Sequence, residues 1–166
     1  MKTYFKTMAF ILMTASAGVS SSFAAEASVG AAMPSLGTLL PGSSLPKTSG
    51  KVVLVDFWAS WCAPCKLSFV TLQRLHQKYA SKGLVIIGVG VDEDAGKFQT
   101  FASKHPAGFT LVHDTQQSAA AYFNPPTMPS SYLVDKSGKI RFIHQGFRGE
   151  KTEAEYVHEI EQMLSE

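Results

Sequence analysis

The sequence predicts an α/β protein with a mixed central sheet covered by helices on both faces. Three observations carry this reading. Two nearly continuous runs of β-branched and aromatic residues, 51–58 (KVVLVDFW) and 84–91 (LVIIGVGV), have the composition of strands buried on both faces. A helical pattern separates them, which implies a βαβ unit and parallel strands. Two further strand patterns flank 135–138 (DKSG), a hairpin signal that adds antiparallel strands at one side.

Taken in order, residues 1–24 read as a secretory signal. Lys2 and Lys6 form a positive start, and 8–19 is an apolar run of twelve residues, too short for a typical membrane span. Small residues then offer cleavage after Ala24 or after Ala27. The expected product is one domain, 28–166, exported to the periplasm; an uncleaved inner-membrane anchor is the alternative. Residues 28–50 are rich in Gly, Pro and Ser, with one short strand expected near 36–40. The strand 51–58 follows, and Pro64 stands where the first turn of a helix tolerates proline. Phe69, Leu72, His76 and Tyr79 recur at helical spacing, and Gly83 ends that helix. After strand 84–91, Asp92-Glu93-Asp94 supplies caps and acids for a helix over 95–104. Pro106 and Gly108 break it. A strand over 109–113, a short helix over 118–123 and a turn at Asn124-Pro125-Pro126 come next. Strands 131–134 and 139–145 and a closing amphipathic helix over 153–164, with Tyr156, Val157, Ile160 and Leu164 apolar, complete the chain.

Composition limits the function classes. With 166 residues, 45% hydrophobic and 17% charged, the chain is globular and large enough for a real core. Its 15 basic and 13 acidic side chains become 13 of each once Lys2 and Lys6 leave with the signal. No basic run or aromatic-interleaved basic patch is present, so nucleic acid is not an expected partner.

The only two cysteines, Cys62 and Cys65, stand three positions apart. A disulfide that closes two intervening residues is a poor structural staple. Zinc needs about four ligands, and the five histidines show no paired spacing. Haem attachment needs a histidine where Lys66 stands. The peroxiredoxin threonine is missing before Cys62. What remains is reversible dithiol–disulfide chemistry, with the pair itself as the only redox group, no other cofactor and no metal. Cys62 falls at a strand-to-helix turn, where free backbone N–H groups and the helix dipole favour a thiolate with a pKa below the free value of roughly 8.5. Cys65 lies one turn further in. Cys62 would attack a target disulfide, and Cys65 would resolve the mixed disulfide.

The segment VDFWASWCAPCK (55–66) resembles the active-site segment of the thioredoxin superfamily. TMPSSYLVDKSGKI (127–140) is similar to the family's second hallmark, a residue-proline pair before a strand and hairpin. The resemblance implies a thioredoxin-like fold in which Pro129 is cis and faces the cysteines. The 64 positions from Cys65 to Pro129 exceed those of minimal thioredoxins, implying a helix-strand insertion over about 91–123. With the signal and a leader strand, this looks like the TlpA/ResA-type branch, whose members are periplasmic or membrane-tethered thiol-disulfide oxidoreductases, some serving cytochrome c maturation.

By the same resemblance Asp56, in an apolar strand, is the general base for Cys65; a strand-end carboxylate bonded to backbone is the plainer alternative. Trp61 forms the rim of the target surface, and Trp58 belongs to the core. The backbone of Met128 would pair with an extended substrate segment beside Pro129. Gly146 matches a family glycine near the active site, although simple turn chemistry accounts for it equally well. Ser68 replaces an acid that many ResA-like members carry, so no role of that acid transfers. Ala63-Pro64 adds no charge beside Cys62, which favours a reductant. The expected function is a monomeric protein-disulfide reductase fed by a membrane thiol donor, because the periplasm is kept oxidising. The alternatives are a disulfide oxidase or isomerase, and a non-catalytic binding or chaperone module using the groove beside Pro129.

Overall fold

The computed structural model describes residues 27–166; the expected signal segment 1–24 lies outside the described residues. The elements, in chain order, are α1 (Leu36–Leu39), β1 (Val52–Trp58), α2 (Ala63–Tyr79), β2 (Leu84–Gly90), α3 (Ala95–Lys104), β3 (Thr110–His113), α4 (Ser118–Phe123), β4 (Ser130–Val134), β5 (Ile140–Gln145) and α5 (Glu150–Ser165). The strands form one five-stranded sheet in the order β3-β2-β1-β4-β5. β1–β2 and β2–β3 are parallel, while β1–β4 and β4–β5 are antiparallel. The sheet is therefore mixed, with β1 at its centre.

Every residue of β1 is buried, as a strand covered on both faces requires. Its side chains alternate between two cores. Val52, Leu54 and Trp58 join a core completed by Phe69, Leu72 and Leu75 of α2, Phe101 of α3 and Tyr156 and Ile160 of α5, and this core includes both cysteines. Val53, Val55 and Phe57 join the opposite core, with Leu36 of α1 and Ala119 and Phe123 of α4. Asp56 has the parity of the first set, so its side chain lies on the cysteine side of the sheet.

The strand expected near 36–40 is instead the one-turn helix α1. Leu36 and Leu40 lie four apart and are both buried, and the Leu40 amide donates to the Leu36 carbonyl at 2.8 Å. Leu39 packs beside them against the same core, and a face made of positions i, i+3 and i+4 is helical, since a strand would turn Leu39 away from Leu36 and Leu40. The leader touches the sheet as a backbone bridge between Ala32 and Lys139, beside the hairpin of β4 and β5. The closing helix starts at Glu150, earlier than its apolar spacing suggests. Gly149 stands at its N-cap, and Glu150 and Glu153 place negative charge in the first turn, where the helix dipole favours it. The added segment between β2 and β4 consists of α3, β3 and α4, with β3 extending the sheet beyond β2.

Two glycines of β2 make room for the aromatic layer beneath the cysteines. Trp58 packs against Phe69, Phe98 and Phe101 with ring centroids 5.3, 5.3 and 4.5 Å away. A Cβ on Gly90 would stand 2.5 Å from Phe98 Cδ2 and 3.0 Å from Trp58 Cζ2. Gly90→Ala is therefore expected to cost about 1–3 kcal/mol by overpacking. Gly37→Ala, whose new methyl would meet nothing closer than 3.6 Å, is expected to be near neutral. Urea denaturation of the two variants checks the contrast.

Candidate active site

The site is assembled where β1 hands over to α2. At that end the Val91 amide donates to the Trp58 carbonyl at 3.0 Å, carrying the β1–β2 pairing one step further. The next pair along is Ser60 and Asp92. The buried Asp92 carboxylate accepts from the Ser60 amide at 2.9 Å and from its hydroxyl at 2.6 Å. This two-pronged clamp anchors the turn that carries Trp61 and Cys62. Behind it, His113 Nε2 lies 2.6 Å from the Asp92 carbonyl oxygen. Of the acids 92–94 expected to cap and precede α3, Asp94 alone is the cap, accepting from the amides of Gly96 and Lys97, while Asp92 is structural. Only the parallel register of β1 with β2 reveals that Asp92 stands across from Ser60.

Cys62 is the N-cap of α2, and its Sγ accepts from the Cys65 amide at 3.2 Å. Pro64 occupies the first turn, where its missing N–H leaves no gap in the helix ladder. Cys62 and Cys65 form a disulfide with their Cα atoms 5.4 Å apart. Cys65 is fully buried, while Cys62 keeps 4% of its surface exposed. The N-terminus of a seventeen-residue helix favours negative charge on the outer sulfur once the disulfide opens. Ser68 is buried and donates to the Cys65 carbonyl at 2.9 Å, so its hydroxyl is already satisfied. Lys66 is exposed.

Asp56 is fully buried, on the same side of the sheet as the cysteines. Its Oδ1 accepts from Ser131 Oγ at 2.6 Å, and Ser131 Oγ lies 2.6 Å from the Tyr156 hydroxyl. Its Oδ2 has no hydrogen-bond partner among the described residues. Burial pushes the carboxyl up to about 7, and the Ser131 bond pulls it partly back.

The remaining residues singled out from the sequence are placed as follows. Trp61 is 72% exposed on the rim, and Trp58 is fully buried. The Met128–Pro129 peptide bond is cis. Met128 packs against the core that holds Cys62 and Cys65. Gly146 has φ +76° and donates its amide to the Pro129 carbonyl at 2.8 Å. Its left-handed backbone is the turn chemistry expected of a glycine here, and it ties this turn to the Pro129 loop. His144 is nearly buried between Glu159, 2.7 Å from Nε2, and Glu155, 3.5 Å from Nδ1, with its ring edge-on to Tyr156. Among the described residues, no helix is long and apolar enough to cross a membrane, and no group of three or more His, Cys, Asp or Glu side chains could hold a metal ion.

Set against known proteins, this arrangement is familiar. The Redoxin family matches residues 28–160. The chain belongs to this family. Among curated relatives, the thiol-disulfide oxidoreductase ResA of Geobacillus kaustophilus is 31% identical over 97 residues, covering 58% of this chain and 56% of that protein. The thioredoxin-like protein YneN of Bacillus subtilis is 33% identical over 107 residues, covering 63% of this chain and 62% of that protein. The chain thus spans somewhat more than half the length of these curated relatives. A Chlorobium tepidum structure described as a thiol:disulfide interchange protein DsbE superposes with a TM-score of 0.68 at 34% identity, covering 70% of this chain and 82% of that one. The fold of this Redoxin-family chain is thioredoxin-like, and its relatives are of ResA and DsbE type.

The buried carboxyl has a consequence for stability. Its folded pKa, about 7, lies above the ordinary value of 3.8. Between these values the folded state binds the extra proton, so stability falls as pH rises from about 4 to about 7 and is then flat. The loss is on the order of 4 kcal/mol at most. Asp56→Asn removes the ionisation; its stability is expected to be flatter over this window and higher than that of the parent at pH 8. Denaturation midpoints of both proteins across pH 4–8 measure it.

Proposed function

We propose that this Redoxin-family protein is an exported thiol-disulfide oxidoreductase that reduces protein disulfides in the periplasm, with electrons from a membrane thiol donor. The observation that carries the reading is the Cys62–Cys65 pair at the N-terminus of α2, on the side of the sheet that also holds the buried Asp56. In the reduced protein the Cys62 thiolate attacks one sulfur of a target disulfide. The other target sulfur leaves and takes a proton, and a mixed disulfide forms. Asp56 accepts the Cys65 proton, Cys65 attacks Cys62, and the second target thiol is released. Two electrons have passed to the target, and Cys62 and Cys65 are again a disulfide. A membrane dithiol returns them to the reduced form by the reverse exchange.

A protein rather than a small molecule as target is supported by the surface. Trp61, Leu67 and Val70 are three of the four large apolar side chains that stand exposed among the described residues, and they gather around the Cys62 turn and the first turns of α2. Beside them lies a concavity of about 420 Å³, with Ser60, Lys66, Lys97, Lys104 and His105 on its walls. The Met128 backbone, beside the cis Pro129 that Gly146 ties down, would pair with an extended segment. The direction of transfer is supported by the absence of a charged or histidine residue between the cysteines.

Three measurements test the proposal. Cys62→Ser is expected to abolish reduction of a disulfide-bridged peptide, and Cys65→Ser to accumulate the mixed disulfide, visible by intact mass. Asp56→Asn is expected to slow release of the target near neutral pH on the order of 100-fold while attack by Cys62 persists. Equilibration with glutathione is expected to place the pair nearer −270 mV than about −120 mV; the latter value would make the protein an oxidant instead.

A further inference from the structure

We propose that Tyr156 and Ser131 form a one-way chain of hydroxyl donors that reserves Asp56 Oδ2 as the oxygen exchanging a proton with Cys65. The proposal rests on the reading of Asp56 as the base, and adds two positioning residues from elements far from the cysteines in sequence.

The strand pairing supplies the juxtaposition. Asp56 stands opposite Ser131 on β4 and opposite Gly88 on β2, and Ser131 stands opposite His144 on β5. Across from Asp56, β2 therefore offers no side chain, and β4 offers a single hydroxyl. α5 covers this hydroxyl with Tyr156, fully buried. The charged and titratable groups nearby are the cysteines of α2, His144 of β5, and Glu155 and Glu159 of α5; the last two hold His144 rather than Asp56. No cation forms an ion pair with Asp56 among the described residues, so hydroxyls do what a charge would otherwise do.

Counting protons fixes the direction of the chain. Tyr156 and Ser131 each bring one, and an ionised Asp56 brings none. The Tyr156 hydroxyl meets no hydrogen-bond partner other than Ser131 Oγ among the described residues. Its proton can only point at Ser131, which must then point its own proton at Asp56 Oδ1. If Asp56 took a proton on Oδ1 and donated it to Ser131 Oγ, either the serine proton or the phenol proton would be left without an acceptor in this chain, a costly arrangement. A proton on Oδ2, the oxygen that lacks a partner, leaves both bonds intact. The phenol stays a donor throughout: burial first, and then the charges of Asp56, Glu159 and Glu155, push its pKa well above the ordinary tyrosine range. During resolution Oδ2 takes the proton of the Cys65 thiol as Cys65 Sγ bonds to Cys62 Sγ, and gives it back when the pair is reduced.

The test is the titration of Asp56 itself, followed by the carboxyl carbon signal of the reduced, ¹³C-aspartate-labelled protein. Ser131→Ala removes the direct donor and is expected to raise the midpoint by about one pH unit. Tyr156→Phe removes the outer donor and is expected to raise it by about half as much, while Ser131→Thr restores the parent value. The pH profile for reduction of a disulfide-bridged peptide is expected to move by the same amounts. Midpoints unchanged or lowered in both Ser131→Ala and Tyr156→Phe overturn the donor chain, as does a threonine variant displaced as far as the alanine one. Should Ser131→Ala fail to fold, the Tyr156→Phe midpoint decides. Unchanged turnover in Asp56→Asn overturns the exchange with Cys65 and, separately, the base reading, whatever the midpoints.

Discussion

The in-register pairing of β1 with a neighbour on each side is the constraint on which the site depends. On one side β1 pairs parallel with β2, which sets Gly90 against Trp58 and, one step beyond the sheet, Asp92 against Ser60. On the other it pairs antiparallel with β4, which sets Ser131 against Asp56. A slip of one residue along either edge would turn every side chain to the opposite face. Asp56 would then leave the core that holds the cysteines. The two buried cores, with large apolar residues alternating along β1, make such a slip prohibitive. The packing of β1 thus holds both the turn that follows it and its own Asp56 in place.

An ionisable group at the centre of that strand opposes the packing around it. A carboxylate without an ion-pair partner loses its hydration on burial, and the one hydroxyl bonded to it, that of Ser131, only partly replaces it. A fold selected for stability alone would carry an apolar residue at this place. The proposed exchange of a proton with Cys65 near neutral pH gives the acid a use, for which a carboxyl at about 7 is suited and an ordinary one is not. Asp92 shows the contrasting solution. It too is buried, but both of its oxygens are bonded by Ser60, and it serves as an anchor.

The inserted α3, β3 and α4 also acquire a role from their position. α3 contributes Phe98 and Phe101 to the ring stack on Trp58, and β3 contributes His113 to the Asp92 loop. The insertion therefore buttresses the turn that carries Cys62, in addition to widening the sheet. Its Lys97 and Lys104, with Lys66 of α2 and the acid Asp94, line a concavity next to Ser60 of the turn that leads to Cys62.

The sequence alone determined the local elements and the chemistry of the motif. Alternating burial, glycine and proline punctuation and a cysteine pair at a strand-to-helix turn are short-range signals, and α3 and α4 lie at the residues they indicate. They also singled out Asp56, because a carboxyl in an apolar run is conspicuous without any neighbour being known. The same signals misread the leader: Leu36 and Leu40 fit a strand or a helix until the surface they cover is known. What only the tertiary structure decided is which polar groups meet. Ser131 is 75 residues from Asp56, and Tyr156 a further 25 beyond Ser131. Each looks ordinary in its own element, a serine in a strand and a tyrosine in a helix. Sheet register and helix docking brought them together, and a pattern of local periodicity holds no information about partners that only long-range pairing selects.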